Sequence, residues 1–430
     1  MDGEINTVCV GNYCDLIVFM NDTAEVRIDS LAYGGEAVGR LADGRVVFVS
    51  YAMPGELVRV KLLENKTHHA RAQLVEVLES SPERLPPRCQ HFGTCGGCHY
   101  QHMGYAAQLR AKAVILREQL ERLGGVKDLP EIEMIASPEP WYYRNQLQFH
   151  QTPQGKLGFQ MARSNHTFAI QECYLPQAGI NRLWPRLEVE PALGLERISL
   201  RQGAEEDLMI VLESSRTLAL DFDIEDLAIS VVQVDPGGSV VVAGSDYIII
   251  EILGRRFRVS ASSFFQVNTL QATNMVNHLL QYLPLDANMT VLDVYAGVGL
   301  FSALLAPRVK RLVGIEVSPV ACSDFTTNLD EFDNVELYEA SAEEVLGKVN
   351  FDPDVIVMDP PRTGLGANTL DAALSQGARW LVYVSCDPST LARDARQLIT
   401  GGYQLQKLTF IDMFPHTYPI ESMSFWTNNT

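Results

Sequence analysis

Apolar and polar positions fall into three successive patterns along the chain. From Ala24 to Glu79, short β-rich runs (AEVRIDSLA, RVVFVSY, ELVRVKLLE, RAQLVEVLE) are separated by the turn signals YGGEAVGR, ADGR and MPGE. Four or five strands in about 60 residues predict a small barrel of the OB type. Between Tyr105 and Gly125, Leu109, Ala113, Leu116, Leu120 and Leu123 recur at helical spacing and end in a Gly-Gly stop, while Arg110, Lys112, Arg117 and Arg122 occupy the polar face. The phrase WYYRNQLQFH, from Trp141, alternates into strand. From Thr290 the pattern becomes strand, glycine loop, helix, with further apolar runs at RLVGIE, VELYEA, DVIVMD and WLVYVS. Alternation of strand and helix predicts an open α/β sheet of Rossmann-like type. Its last run delivers Cys386 at a strand end, where such sheets do chemistry. Taken alone, a cysteine there reads first as a packed core thiol, and its company changes that reading.

With 430 residues, two or three domains each have enough chain to bury a core. Hydrophobic residues at 47% and a mean hydropathy of zero describe a soluble globular protein. No apolar run approaches the roughly 20 residues that span a bilayer. MDGEINTVCV carries acids where a secretory signal carries positive charge, so a cytoplasmic location is expected. Eight cysteines then point to thiol chemistry or metal ligation rather than a disulfide scaffold. A net charge of −19 opposes nucleic-acid binding until its distribution is read. Only residues 82–186 are net basic, at +4, whereas 187–251 carry −11 and form an acidic, strand-rich scaffold without evident chemistry. Arg84, Arg88, Arg110, Lys112, Arg117 and Arg122 are either a polyanion site or an ordinary solvated surface. Residues 1–21 have no period and receive no function.

Cys89, Cys95 and Cys98 form a C-x5-C-G-G-C run, with Cys173 some 75 residues further on. Glycines between thiols let the backbone turn both toward one centre. Zinc is the weaker alternative, drawing on His91, His99 or His102. Four thiolates suit a [4Fe-4S] cluster better, and a fully ligated cluster is structural rather than catalytic. In the C-terminal third, Asp293 ends a strand and Gly297 and Gly299 open a helix; Glu316 follows 23 residues after Asp293, placed for ribose hydroxyls. An acid before the glycines, without the GxGxxG of dinucleotide binders, favours S-adenosylmethionine over NAD. Asp359-Pro360-Pro361-Arg362 forms a rigid loop after the fourth strand. Amino-group methyltransferases carry an aromatic where this chain has Arg362. Arg144 with Asn145, set among aromatics, suits phosphate or base contact, or equally a buried cluster with one snorkelling arginine.

LAYGGEAVGRL followed by VFVSYAMPGELVRVKL resembles the TRAM domain of RNA-modifying enzymes. FFQVN, DVYAGVG, GIE, DPPRTG, YVSCDPSTLARD and DMFPHTYPIE together resemble the RNA 5-methyluridine methyltransferases, over nearly the whole chain. The resemblance implies a TRAM barrel at 22–82 after a tail at 1–21, a central domain at 83–258 bearing the cysteines, and a class I methyltransferase domain at 259–430. It implies Cys386 as nucleophile and Glu421 as base, with Gln266, Tyr295, Glu316 and Asp359 on S-adenosylmethionine. Cys89, Cys95, Cys98 and Cys173 match the cluster ligands of its iron-sulfur branch, notably the 23S ribosomal RNA enzymes. It further implies that the helix from Tyr105 packs on the catalytic domain. Asp387 and Pro419 depart from the family, which often has Asn and His there, and Ser341 stands where many methyltransferases place an acid near the adenine.

The expected chemistry is addition of Cys386 to uracil carbon 6, which makes carbon 5 nucleophilic, followed by removal of the carbon 5 proton by Glu421. The thiol is expected to be partly ionised, with Arg362 a candidate counter-charge, and Phe264 and Phe265 to hold the unstacked uridine. A monomer acting on 23S rRNA is expected, with transfer RNA the alternative substrate. Two other readings stay open: an amino-group methyltransferase using the DPPR loop, and a non-catalytic iron-sulfur RNA-binding factor.

Overall fold

The computed structural model describes residues 8–10, 13–15, 23–187, 189–190, 194–217 and 229–428. A ribbon of β1 (Val8–Val10) and β2 (Tyr13–Asp15) precedes a closed barrel. Strands β3 (Thr23–Leu31), β4 (Glu36–Arg40), β5 (Val46–Ser50), β6 (Leu57–Asn65) and β7 (His69–Glu79) close it in the order β3-β4-β5-β7-β6. Alternation is visible where expected: Val47, Val49, Val58 and Val60 point inward and are fully buried. One stretch read as a turn is a strand, β4. Its Gly39 makes this possible, because a Cβ there would lie 2.5 Å from the Arg27 carbonyl oxygen of β3. Buried Glu56 ties the barrel onward, accepting from Arg84 at 2.5 and 2.7 Å.

Helix α1 (Tyr105–Gln119) runs into a π-turn over Leu120–Gly124 and stops at Gly125 with φ 69°. Leu116 and Leu120 of the expected face are fully buried and Leu109 and Ala113 pack on the core, but the buried face also takes in polar residues. Ala107, Gln108, Lys112, Ile115 and Leu116 are buried, while Leu123 is exposed and Lys112 has no exposed surface. Polar partners from 300 residues away account for this, since Lys112 pairs with Asp412 and Gln108 with His416. The helix thus lies against the C-terminal third. The other basic positions are also occupied: Arg110 by Glu83, Arg117 by Glu121, Arg122 by Glu118. Arg88 lies 4.3–5.3 Å from the ring centroids of Trp141, Tyr142 and Tyr174.

Strand β8 (Ile132–Ile135) leaves the central region to join the catalytic sheet. The central sheet contains β9 (Gln146–Gln151), β10 (Leu157–Gln160) and β11 (Thr167–Ala169), then β12 (Leu195–Gln202), β13 (Leu208–Ser214), β14 (Ile229–Asp235) and β15 (Gly238–Ala243), with α2 (Ala178–Leu183) between. Its order is β11-β10-β9-β12-β13-β14-β15. A hairpin, β16 (Tyr247–Ile252) with β17 (Arg255–Ser260), straddles the expected 258/259 boundary and packs into the catalytic core.

The C-terminal region comprises α3 (Thr269–Tyr282), β18 (Thr290–Val294), α4 (Leu300–Leu305), β19 (Arg311–Glu316), α5 (Pro319–Asn328), β20 (Val335–Glu339) and α6 (Ala342–Leu346). It ends in β21 (Val355–Met358), α7 (Ala367–Ser375), β22 (Trp380–Ser385), α8 (Pro388–Thr400), β23 (Tyr403–Ile411) and β24 (Glu421–Asn428). The sheet order is β20-β19-β18-β21-β22-β24-β23-β8, with β18 to β22 parallel and β24 antiparallel to β22. Leu381, Val382, Tyr383 and Val384 of β22 have no exposed surface, as a strand covered on both faces requires. Among the described residues, no helix is long and apolar enough to cross a membrane.

Candidate active site

Sheet order reverses between β18 and β21, and ligands of open α/β sheets bind beyond the carboxyl ends of strands at such a point. Asp293 and Tyr295 lie at the end of β18, Glu316 ends β19, Asp359 follows β21 and Cys386 follows β22. Because β24 runs the other way, its first residue, Glu421, lies at the same edge. Ser385 pairs with Ser422, so one step outward Cys386 and Glu421 face each other on the same side of the sheet.

Burial raises the Cys386 thiol most, followed by the charges of Glu421, Asp359 and Asp387, against the lowering effect of Arg362; together they push it up to about 12. This differs from the expected partly ionised thiol. One exposed guanidinium does not outweigh desolvation and three carboxylates. Glu421 is 3% exposed, and burial, then the charge of Asp359, holds its carboxyl well above the ordinary range. Asp359 is raised to about 7 by burial and by Asp293, while a 3.2 Å hydrogen bond from Gln266 Nε2 opposes the shift.

The glycine loop is shaped for a ligand. Asp293, raised to about 6 by burial, accepts from the Ser302 hydroxyl at 2.6 Å through Oδ2, and its buried Oδ1 has no partner. Gly297 has φ 55° with open space where a side chain would stand, and its N–H donates to Glu316 Oε2 at 2.9 Å. Glu316 Oε1 accepts from Val317 and Ser318 N–H at 2.9 and 2.8 Å. Gly299 starts α4 with φ 90°, where a Cβ would strike Leu329 at 2.4 Å. Tyr295 also has positive φ, 67°, and its N–H donates to the Ile315 carbonyl. Ser341 caps α6 through the Glu344 N–H. An unpartnered carboxylate oxygen and an open left-handed glycine fit a nucleoside cofactor with a cationic end.

Phe264 is 70% exposed at this edge, but Phe265 is 6% exposed and belongs to the core beside Phe257, so it offers no surface to a base. Arg144 is half-buried. Its Nε donates to the Tyr143 hydroxyl at 3.4 Å, and its charge acts on Cys95, Cys98 and Cys173. Asn145 donates to the Gln266 carbonyl at 3.0 Å, orienting the FFQVN segment rather than RNA.

The four cysteines are free thiols that feel one another's charge. Each has an N–H donor: His91 backbone to Cys89, Gly97 backbone to Cys95 at 3.4 Å, Gln101 side chain to Cys98 and Leu175 backbone to Cys173. Burial pushes Cys98 and Cys173 up to about 12. Among the described residues, no three His, Cys, Asp or Glu side chains form a metal-holding group. The quartet adjoins the catalytic edge, because His99 and Tyr100 N–H donate to the His416 carbonyl at 2.8 and 3.0 Å.

This sheet order, with acids and an open glycine loop at its switch point, defines a Rossmann-like methyltransferase fold. Residues 212–428 match the tRNA (uracil-5-)-methyltransferase family model, and 19–75 match the TRAM domain. An uncharacterized RNA methyltransferase of Streptomyces avermitilis is 33% identical over 427 residues, covering 94% of this chain and 98% of its own. One from Thermosynechococcus vestitus is 32% identical over 445 residues, covering 95% and 98%. The Pyrococcus abyssi tRNA (uracil-54, C5)-methyltransferase, solved with S-adenosyl-L-homocysteine, shares the fold with a TM-score of 0.74 at 24% identity, covering 94% of this chain and all of that one. The chain belongs to the RNA uracil-5 methyltransferase family and is an RNA methyltransferase with a TRAM barrel.

Proposed function

We propose that the protein methylates carbon 5 of a uridine in 23S ribosomal RNA through a covalent bond to Cys386. The observation that carries this reading is the register of β22 and β24, which sets a thiol against a buried carboxyl at the cofactor edge. Cys386 loses its proton and adds to uracil carbon 6, so that the ring gains carbanion character at carbon 5. S-adenosylmethionine, when bound, supplies an electrophilic methyl. Asp359, Gln266, Tyr295, Glu316, Gly297, Gly299 and Asp293 hold it. Glu421 then removes the carbon 5 proton, the electron pair reforms the 5,6 double bond, and the thiolate leaves carbon 6. Exposed Phe264 and Arg362 face the unstacked nucleotide.

Cys89, Cys95, Cys98 and Cys173 hold a [4Fe-4S] cluster in this reading. N–H donors to each sulfur and the nearby Arg144 suit a thiolate set whose summed charge needs compensation. The cluster supplies structure rather than reactivity. The resemblance of the four-cysteine pattern to the iron-sulfur branch, notably the 23S enzymes, favours ribosomal over transfer RNA.

The test uses RNA carrying tritium at uridine carbon 5, from cells lacking the enzyme, with S-adenosylmethionine. Tritium release matching methyl incorporation, both absent in Cys386→Ala, is the expected result, and mapping the methylated fragment identifies the RNA. Methyl incorporation without tritium release would overturn carbon 5 chemistry. Modification confined to transfer RNA would overturn the substrate.

A further inference from the structure

The barrel reaches the nucleophile loop through one hydroxyl. Tyr33 stands in the turn between β3 and β4, just before Gly34 and Gly35, whose φ values are 103° and 89°. Its hydroxyl donates to Asp387 Oδ2 at 3.0 Å, across 354 positions of sequence. The other oxygen, Oδ1, accepts from Ser389 and Thr390 N–H at 2.8 and 3.2 Å and so caps α8. Tyr33 is not loose in this position. Its ring packs edge-on against Tyr418 at 5.6 Å, and Tyr418 packs edge-on against His99 at 4.8 Å. Gly35 closes the contact, since a Cβ there would lie 2.8 Å from the His99 ring.

Asp387 adjoins Cys386 and places a negative charge beside a thiol that must ionise. Facing Cys386 are Glu421, Arg362, Asp359 and Asp387; facing Tyr33 are Asp387, Tyr418 and Cys386. Burial, then Asp387, raises the Tyr33 hydroxyl, which therefore stays a neutral donor. A donor on Oδ2 stabilises the carboxylate charge and draws it toward the barrel side. We propose that Tyr33 is a positioning residue for the nucleophile: seating of the barrel sets its hydroxyl on Asp387 and thereby offsets the charge that opposes thiolate formation at Cys386. The proposal rests on the reading of Cys386 as nucleophile, and it makes thiol reactivity depend on barrel docking.

The experiment measures iodoacetamide alkylation of the Cys386 peptide by mass spectrometry against pH in the full chain, beside methyl incorporation into RNA. Wild type, Tyr33→Phe, Asp387→Asn and the double variant are compared. Phenylalanine keeps the ring contact with Tyr418. Its expected effect is a rise of about half to one pH unit in the alkylation midpoint, so alkylation at about pH 8 slows by roughly three- to tenfold. Asp387→Asn speeds alkylation, and in that background Tyr33→Phe has less than about a 1.5-fold effect, because no charge remains to offset. Equal slowing in both backgrounds, or unchanged alkylation in Tyr33→Phe, would overturn the proposal. Should Tyr33→Phe undock the barrel, Asp387→Asn decides, since alkylation no faster than wild type refutes the charge argument. Wild-type alkylation without methyl transfer to uridine would instead refute the catalytic reading and leave the Tyr33 contact tested on its own.

Discussion

Lys112→Met removes an ammonium from a pair that water does not reach. Both Lys112 and Asp412 have no exposed side-chain surface, and Nζ donates to Asp412 Oδ1 at 2.7 Å and to the Phe414 carbonyl at 2.9 Å. Methionine nearly fills the lysine stem's space, so the loss is electrostatic rather than a cavity. Breaking one partner of a buried pair costs about 3–5 kcal/mol, against about 0–1 for a surface pair. At the middle of the buried-pair range the cost is about 4 kcal/mol. For a unit of 150–250 residues this corresponds to a melting temperature lower by about 8–16 °C. Calorimetry of wild type, Lys112→Met, Asp412→Asn and the double variant measures it. The double variant recovers most of the loss. A deficit under about 1 kcal/mol would refute the reasoning.

Two further predictions bear on the chemistry. Glu421→Gln permits methyl transfer but not proton removal, so turnover falls by about 10²–10⁴ and a covalent protein–RNA band persists under denaturing electrophoresis; a variant that turns over without such a band would sink the assignment. In the proposed reading Asp359, raised to about 7 by burial, must ionise to attract the cofactor's cationic end. Affinity for S-adenosylmethionine is therefore full above about 7 and weakens by up to about tenfold per pH unit below it, with proton release on binding near pH 6. Calorimetric titration checks both, and Asp359→Asn removes the pH dependence.

Periodic stretches and the cofactor edge were legible in the sequence because each is written in consecutive residues. WLVYVS reads as a doubly covered strand without reference to anything else, and DVYAGVG carries its own turn. Long-range polar pairs were not legible. Lys112 belongs to a stripe of cations that reads as a solvated face, and only Asp412, 300 positions away, makes it a core residue. Arg144 reads as a nucleic-acid contact until its neighbours prove to be thiols. Phe264 and Phe265 are indistinguishable in composition, and the turn of backbone after β17 puts one in solvent and the other in the core. Glu36–Arg40 was hidden for a different reason, because its Gly39 signals a turn while serving close approach of two strands.

The high thiol pKa of Cys386 bears on how the reaction is timed. Burial raises it most, yet Glu421 and Asp359 raise it too, and the proposed chemistry gives each of these carboxyls a task. Asp359 meets the cation of the cofactor, which cancels its charge beside the thiol. Burial and the Asp359 charge hold the Glu421 carboxyl well above the ordinary range, so neutralising Asp359 lowers it toward what a base at carbon 5 requires. Cofactor binding therefore eases thiolate formation and prepares the base through one carboxylate. By linkage, the factor by which bound cofactor favours the thiolate equals the factor by which the thiolate favours cofactor binding. A thiol that stays protonated until then is also poor prey for oxidants, because reactivity follows the thiolate. In the proposed reading the Asp359 charge thus restrains the thiol of the free enzyme, and the cofactor's cation lifts that restraint.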